Sequence, residues 1–110
     1  MPNTFKNDIT SGVGTSLTSV YTAGSGVTAT VIGLTCANVT SSDCKVTVKV
    51  TDTSATATAT IVKEAPVPIG GSLVVAGGNH KIVLETTDIL KIQSDTASSI
   101  DVMLSILEQT

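Results

Sequence analysis

The chain has 110 residues, which is one domain of ordinary size and too little for two. It carries a net charge of −3, no arginine and only 14 % charged residues, so it has no basic stripe with which to follow a phosphate backbone. Aromatics are 2 % of the chain, Phe5 and Tyr21, which leaves no platform for stacked bases and obliges the core to be built from Val, Ile, Leu and Ala.

A domain with so few aromatics holds little apolar area in reserve, and the composition favours oligomerisation or docking on something larger. No apolar run approaches the roughly 18 residues needed to cross a bilayer, so no membrane partner is expected. The segment Met1-Pro2-Asn3-Thr4-Phe5-Lys6 lacks the apolar stretch of a secretory leader, and cytosolic synthesis without export is the expectation.

Along the chain, residues 1–14 are polar and read as an N-terminal arm, with Phe5-Lys6-Asn7-Asp8-Ile9 as a short edge strand. Gly12 and Gly14 then form a flexible turn before a folded domain at 15–110. Ser16–Thr22 is a short strand, and Gly24 and Gly26 supply the turn after it. Val27–Asn38 is the first strong strand. Strict alternation puts Val27, Ala29, Val31 and Gly33 on one face and Thr28, Thr30, Ile32 and Leu34 on the other, with Gly33 marking a bulge or a close backbone approach.

Lys45–Asp52 alternates cleanly, with Val46, Val48 and Val50 inward and Lys45, Thr47, Lys49 and Thr51 outward. Asp52-Thr53-Ser54 turns the chain. Ala55–Glu64, opening on the run ATATATIV, returns as its partner, since stiff β-branched side chains suit a pleated surface. Pro66 and Pro68 are expected to break the pairing and begin an extended crossover. Ser72–Ala76, His80–Glu85, Ile89–Ser94 and Ser99–Glu108 follow as strands, separated by turns at Gly77-Gly78-Asn79, Thr86-Thr87-Asp88 and Asp95-Thr96-Ala97-Ser98. In the last strand Ile100, Val102, Leu104 and Ile106 alternate with Asp101, Met103, Ser105 and Leu107. About eight short strands at roughly ten-residue spacing, with no helical period, predict an all-β fold: a single antiparallel β-sandwich, jelly-roll-like or Ig-like.

Reactive chemistry is sparse, and no enzyme is expected. His80 is the sole histidine, and its place at a loop–strand junction reads as a solvated side chain. Asp8, Asp43, Asp52, Asp88, Asp95 and Asp101 fall mostly at turns, where Asp accepts local backbone hydrogen bonds. Loop carboxylates offer a weak calcium alternative, but no oxygen-rich loop pattern repeats, so no metal or other cofactor is expected. Gly70-Gly71 and Gly77-Gly78 precede no helix and form no phosphate loop. Lys45, Lys49 and Lys63 read as solvated lysines that protect a strand edge. Asn38-Val39-Thr40 matches a glycosylation acceptor and, without an export signal, reads as a chance match. Cys36 and Cys44 flank a stretch, Ala37–Asp43, that reads as a hairpin loop. They are read first as two small buried thiols, second as a cross-hairpin disulfide and last as part of a metal site.

Several of these segments carry a family resemblance. Tyr21-Thr22-Ala23-Gly24 leads into Val27-Thr28-Ala29-Thr30-Val31-Ile32-Gly33-Leu34 and then Ala37-Asn38. The second half runs through Pro66-Val67-Pro68-Ile69-Gly70-Gly71-Ser72-Leu73, Leu84-Glu85 and Asp88-Ile89. From Ser16 to Glu108 the chain resembles the small β-sandwich virion proteins of tailed bacteriophages, notably of cyanobacterial and marine phages, departing from their pattern at Val39. The resemblance implies a virion structural protein assembled in the host cytoplasm, foremost a capsid decoration or cement protein that bridges major capsid subunits as a homotrimer. A neck, tail or baseplate accessory is the alternative, and a host-surface glycan-binding module is a third. On this reading the segment Phe5, Lys6, Asp8 and Ile9 is the partner-binding element, adding a strand to the exposed edge of a shell protein.

Overall fold

The computed structural model describes residues 3–77 and 81–110. The expected histidine site, His80, lies outside the described residues, as does most of the turn before it. Nine strands run in the order β1 (Asn3–Val13), β2 (Thr18–Thr22), β3 (Thr28–Asn38), β4 (Cys44–Asp52), β5 (Ala57–Val67), β6 (Ser72–Ala76), β7 (Ile82–Leu84), β8 (Ile89–Ser94) and β9 (Ile100–Gln109). They form two antiparallel sheets. Sheet I has the order β1-β9-β3-β6, with β7 also paired to β3, and sheet II the order β2-β8-β4-β5.

Counting β6 and β7 as one interrupted strand, the chain pairs first with last, second with next-to-last, and so inward to the β4–β5 hairpin. That is one long hairpin rolled up, the jelly-roll form of the sandwich. Only the β4–β5 and β6–β7 links stay within a sheet; the others cross between the two. Residue Cys36 therefore lies on sheet I and Cys44 on sheet II. The expected hairpin between them is instead a crossover, and both thiols are free rather than joined as a disulfide.

The core is a layer of aliphatic side chains between the sheets. From sheet I come Ala29, Val31, Leu34, Leu84, Val102, Leu104 and Ile106, and from sheet II Val46, Val48, Leu90 and Ile92, all buried. Val46 and Val48 point inward as the alternation requires, and Val50 is half-buried toward the tip of the hairpin. In β3 the register slips between Val31 and Gly33. The extra residue reverses the parity, so Ala29 and Val31 face the core before the bulge, and Leu34 and Cys36 after it. Leu34 thus leaves the face that strict alternation assigned to it.

One further expectation is corrected, and the expected edge strand at Phe5–Ile9 is found and proves longer. Pairing of β5 with β4 runs on through Lys45↔Pro66 to Cys44↔Val67 rather than breaking at the prolines. Strand β5 is the outermost of sheet II, and an edge strand tolerates a residue without an N–H. The polar N-terminal segment is, over Asn3–Val13, an integral outer strand of sheet I, paired with β9 from Asn3↔Gln109 onward.

Because β9 lies between β1 and β3, its inward side chains are enclosed on every side. Leu104 is fully buried there. Replacement by alanine is expected to lower unfolding stability by about 2–5 kcal/mol, the usual cost of emptying a buried leucine site. Urea unfolding of Leu104→Ala against the parent chain measures it.

Candidate functional site

The edges of the two sheets differ. Three of them are blunted in ways that prevent strand addition. Strand β2 is five residues long, and β6 and β7 are short as well. Strand β5 carries Pro66, the exposed Lys63 and an irregularity at Glu64, whose φ of 51° departs from extended backbone. The fourth edge, β1, is eleven residues long and contains no proline. It pairs with β9 without a slip from Asn3↔Gln109 to Thr10↔Val102, and the single irregularity lies between Thr10 and Val13. Its outward backbone is the long regular edge of the molecule.

Beside that edge lies an apolar face. Residues directly opposite on neighbouring antiparallel strands share a face. Phe5 is opposite Leu107, and Ile9 is opposite Met103. On the far side Met103 is opposite Thr35, which is opposite Val74, and Thr30 is opposite Val83. Phe5, Ile9, Met103, Val74 and Val83 are all exposed, with Phe5 at 74 % and Ile9 at 63 %. An exposed apolar stripe across a sheet is the mark of an interaction surface. The outer face of sheet II is its opposite in character: Lys45, Lys49 and Lys63, with Thr47, Thr60 and Gln93, line a shallow groove of about 340 Å³.

The residues expected to bind a partner are therefore divided by the pleat. Phe5 and Ile9 stand together on the outer face. Lys6 and Asp8 point the other way. The Lys6 ammonium pairs with Glu108 at 3.6 Å, and the Tyr21 hydroxyl donates a hydrogen bond to the same carboxylate. Glu108 is on β9 and Tyr21 on β2, so this group braces sheet I against sheet II. Val74, Val83 and Met103 completed the stripe without being singled out. Their signal was present in the outward half of each alternation, but strand order was needed to bring them together.

The crossover between β3 and β4 is built on Asn38. Its buried amide donates to the carbonyl oxygens of Ser42 at 2.8 Å and Val67 at 3.0 Å, and its oxygen accepts from the Thr40 N–H and hydroxyl. The amide nitrogen that a glycan would need is thus committed inside the fold. Around it the thiols are enclosed. Burial pushes the Cys36 thiol up to about 12. At Cys44 burial also opposes the thiolate, but hydrogen bonds with Thr40, Thr96 and Ser99 outweigh it and lower the pKa.

Asp52 and Asp88 act as local acceptors, from the Ala55 and Glu85 N–H groups, whereas Asp95, Asp43 and Asp101 accept from the Lys45, Ile69 and Gly12 N–H groups, far away in the sequence. Among the described residues, one carboxylate group has ligand spacing for a metal, Asp52 with Glu85 and Asp88. Among those residues, no helix is long and apolar enough to cross a membrane. In comparisons with protein-family models, curated proteins and solved structures, none matches this chain.

Two measurements check this geometry. Both cysteines are expected to resist a thiol reagent in the native protein, and both to react once it is unfolded, with no reductant needed. Tyr21 is expected not to ionise at its ordinary pH near 10, because burial first, and then the hydrogen bond and negative charge of Glu108, favour the neutral phenol. A raised folded pKa contributes stability that is complete below pH 10 and is lost as the pH climbs above it. Ultraviolet titration of this sole tyrosine should show phenolate only as the protein unfolds.

Proposed function

We propose that this chain is a virion structural protein, a capsid decoration or cement protein that docks as a homotrimer on the major capsid protein through sheet I. The observation that carries the reading is the pairing of a long regular edge strand, β1, with an apolar outer face centred on Phe5 and Ile9. Such an edge offers main-chain hydrogen bonds to an added strand, and the adjacent face offers pockets for alternate side chains. The hydroxyl- and lysine-bearing face of sheet II suits the side turned to solvent.

The jelly roll supports this in kind, since the architecture is common in viral capsid and lectin domains. The argument for function rests on the face and edge rather than on the fold. The sequence resemblance to small virion proteins of tailed phages points the same way. A host-glycan module is less well supported, because Tyr21 is buried and its hydroxyl is engaged with Glu108, which removes one of two aromatic stacking surfaces. No residue is assigned a catalytic role.

The test joins copy number to a surface variant. In purified virions, quantitative mass spectrometry should find the chain close to equimolar with the major capsid protein. A few copies per particle would move it to the neck, tail or baseplate, and absence would overturn the virion reading. The double variant Phe5→Asp/Ile9→Asp should lose binding to undecorated capsids. Both side chains are exposed, so its unfolding stability should stay within about 0.5 kcal/mol per site.

A further inference from the structure

We infer that Asp52, Glu85 and Asp88 form a calcium site that ties the tip of the β4–β5 hairpin to the β7–β8 turn. Nothing in it depends on the docking role of sheet I. One carboxylate oxygen from each of the three residues lies within 4.8 Å of the others. Asp52 ends β4 in sheet II, while Glu85 and Asp88 bracket the turn that leads from sheet I back to sheet II.

The observation that points to a ligand is Asp88 itself. It is only 3 % exposed, and among the described residues its Oδ1 is the one buried side-chain polar atom without a hydrogen-bond partner. A buried carboxylate oxygen left without a partner is costly, and native structures almost always supply one. Asp88 is also held in place. Its Oδ2 accepts from the Glu85 N–H at 3.0 Å, its own N–H donates to the Glu85 carbonyl at 2.9 Å, and its carbonyl accepts from the Ala23 N–H at 3.0 Å. Asp52 is fixed in turn, its Oδ1 accepting from the Ser54 hydroxyl at 2.8 Å and the Ala55 N–H at 3.1 Å.

Three carboxylates brought this close repel one another unless a positive charge is shared between them. A single proton can bridge two carboxylates. A divalent cation engages all three and also supplies the missing partner of Asp88. An all-oxygen set of hard donors selects calcium or magnesium over softer metals. Calcium accepts an irregular oxygen shell of about six to eight ligands, whereas magnesium demands near-ideal octahedral geometry and keeps most of its waters, so a set drawn from two separate turns favours calcium. The Thr53 and Thr87 hydroxyls are hydrogen-bonded to each other across the same two turns.

The full chain, stripped with chelator, is titrated with calcium chloride and separately with magnesium chloride, by calorimetry and by thermal unfolding. A single calcium ion should bind per chain, and the unfolding midpoint should rise with calcium concentration, as it must for an ion that binds only the folded state. Glu85→Gln, at an exposed position, removes one of the three repelling charges, so it should raise the metal-free midpoint and weaken calcium at least about tenfold, because ligand charge sets affinity in such sites. Asp88→Asn keeps an oxygen for the Glu85 N–H and should abolish the calcium response. Absence of heat and of any midpoint shift up to about 10 mM calcium, beyond the weakest range of natural calcium modules, overturns the site. So does a calcium response that survives in both variants, which would put the ion elsewhere. An equal response to magnesium overturns the assignment to calcium. A metal-independent rise in midpoint on Asp88→Asn, with no calcium effect in the parent, identifies a shared proton instead and overturns the proposal.

Discussion

The whole structure depends on two-residue alternation burying aliphatic side chains between two sheets. Each inward Val, Leu or Ile contributes roughly 1.5–3 kcal/mol when fully buried. With a single half of each strand facing the core, many strands must contribute a few such residues each. Central strands β9 and β3 in sheet I, and β4 and β8 in sheet II, supply most of them. Side chains without rings fill a thin, even layer, and the polar groups that brace it sit at the margins. Asn38 closes one crossover with four hydrogen bonds, and Tyr21 joins Glu108 across the sheets at another margin.

Where the alternation is interrupted, the interruption has a use. The slip at Gly33 lets one strand serve two registers, so that Leu34 and Cys36 reach the core although their parity in the sequence is wrong for it. The irregularity at Glu64 has the opposite consequence. It sits on an edge, and with Pro66 and Lys63 it spoils that edge as a template for another strand. Edge β1 carries Lys6 but has no proline and no slip over Asn3–Thr10. This regular edge and the apolar stripe beside it are what the proposed docking through sheet I rests on.

The turns divide into those that are internally satisfied and one that is not. Asp43 and Asp95, in loops, and Asp101, near the start of β9, spend their carboxylates on backbone N–H groups far away in the sequence. Asp88 spends one oxygen on the nearby Glu85 N–H and leaves the other buried without a partner, and its carboxylate lies close to those of Asp52 and Glu85. The difference is burial: Asp88 is buried where its backbone bonds to Ala23 of the β2–β3 loop, while Asp43 and Asp95 are exposed.

The sequence alone determined the class of fold, nearly every strand, and the inward set of the strongest ones. Val46 and Val48, and Ile100, Val102, Leu104 and Ile106, face the core as their spacing requires, because a pleated strand has no other way to sort its side chains. The run ATATATIV marks a strand from Ala57 onward, its first two residues, Ala55 and Thr56, lying in the preceding turn, but it says nothing of the strand's faces; from Ala57 to Thr60 the side chains are exposed, since Ala and Thr give too little preference to orient it. Tertiary structure alone decided what lies between distant segments. It put Cys36 and Cys44 in different sheets, separated Phe5 and Ile9 from Lys6 and Asp8, and joined Val74, Val83 and Met103 to them. It also brought Asp52 to Glu85 and Asp88. Local spacing fixes which way a side chain points from its own strand, but which strands become neighbours is settled only when the rolled hairpin closes and buries its apolar layer.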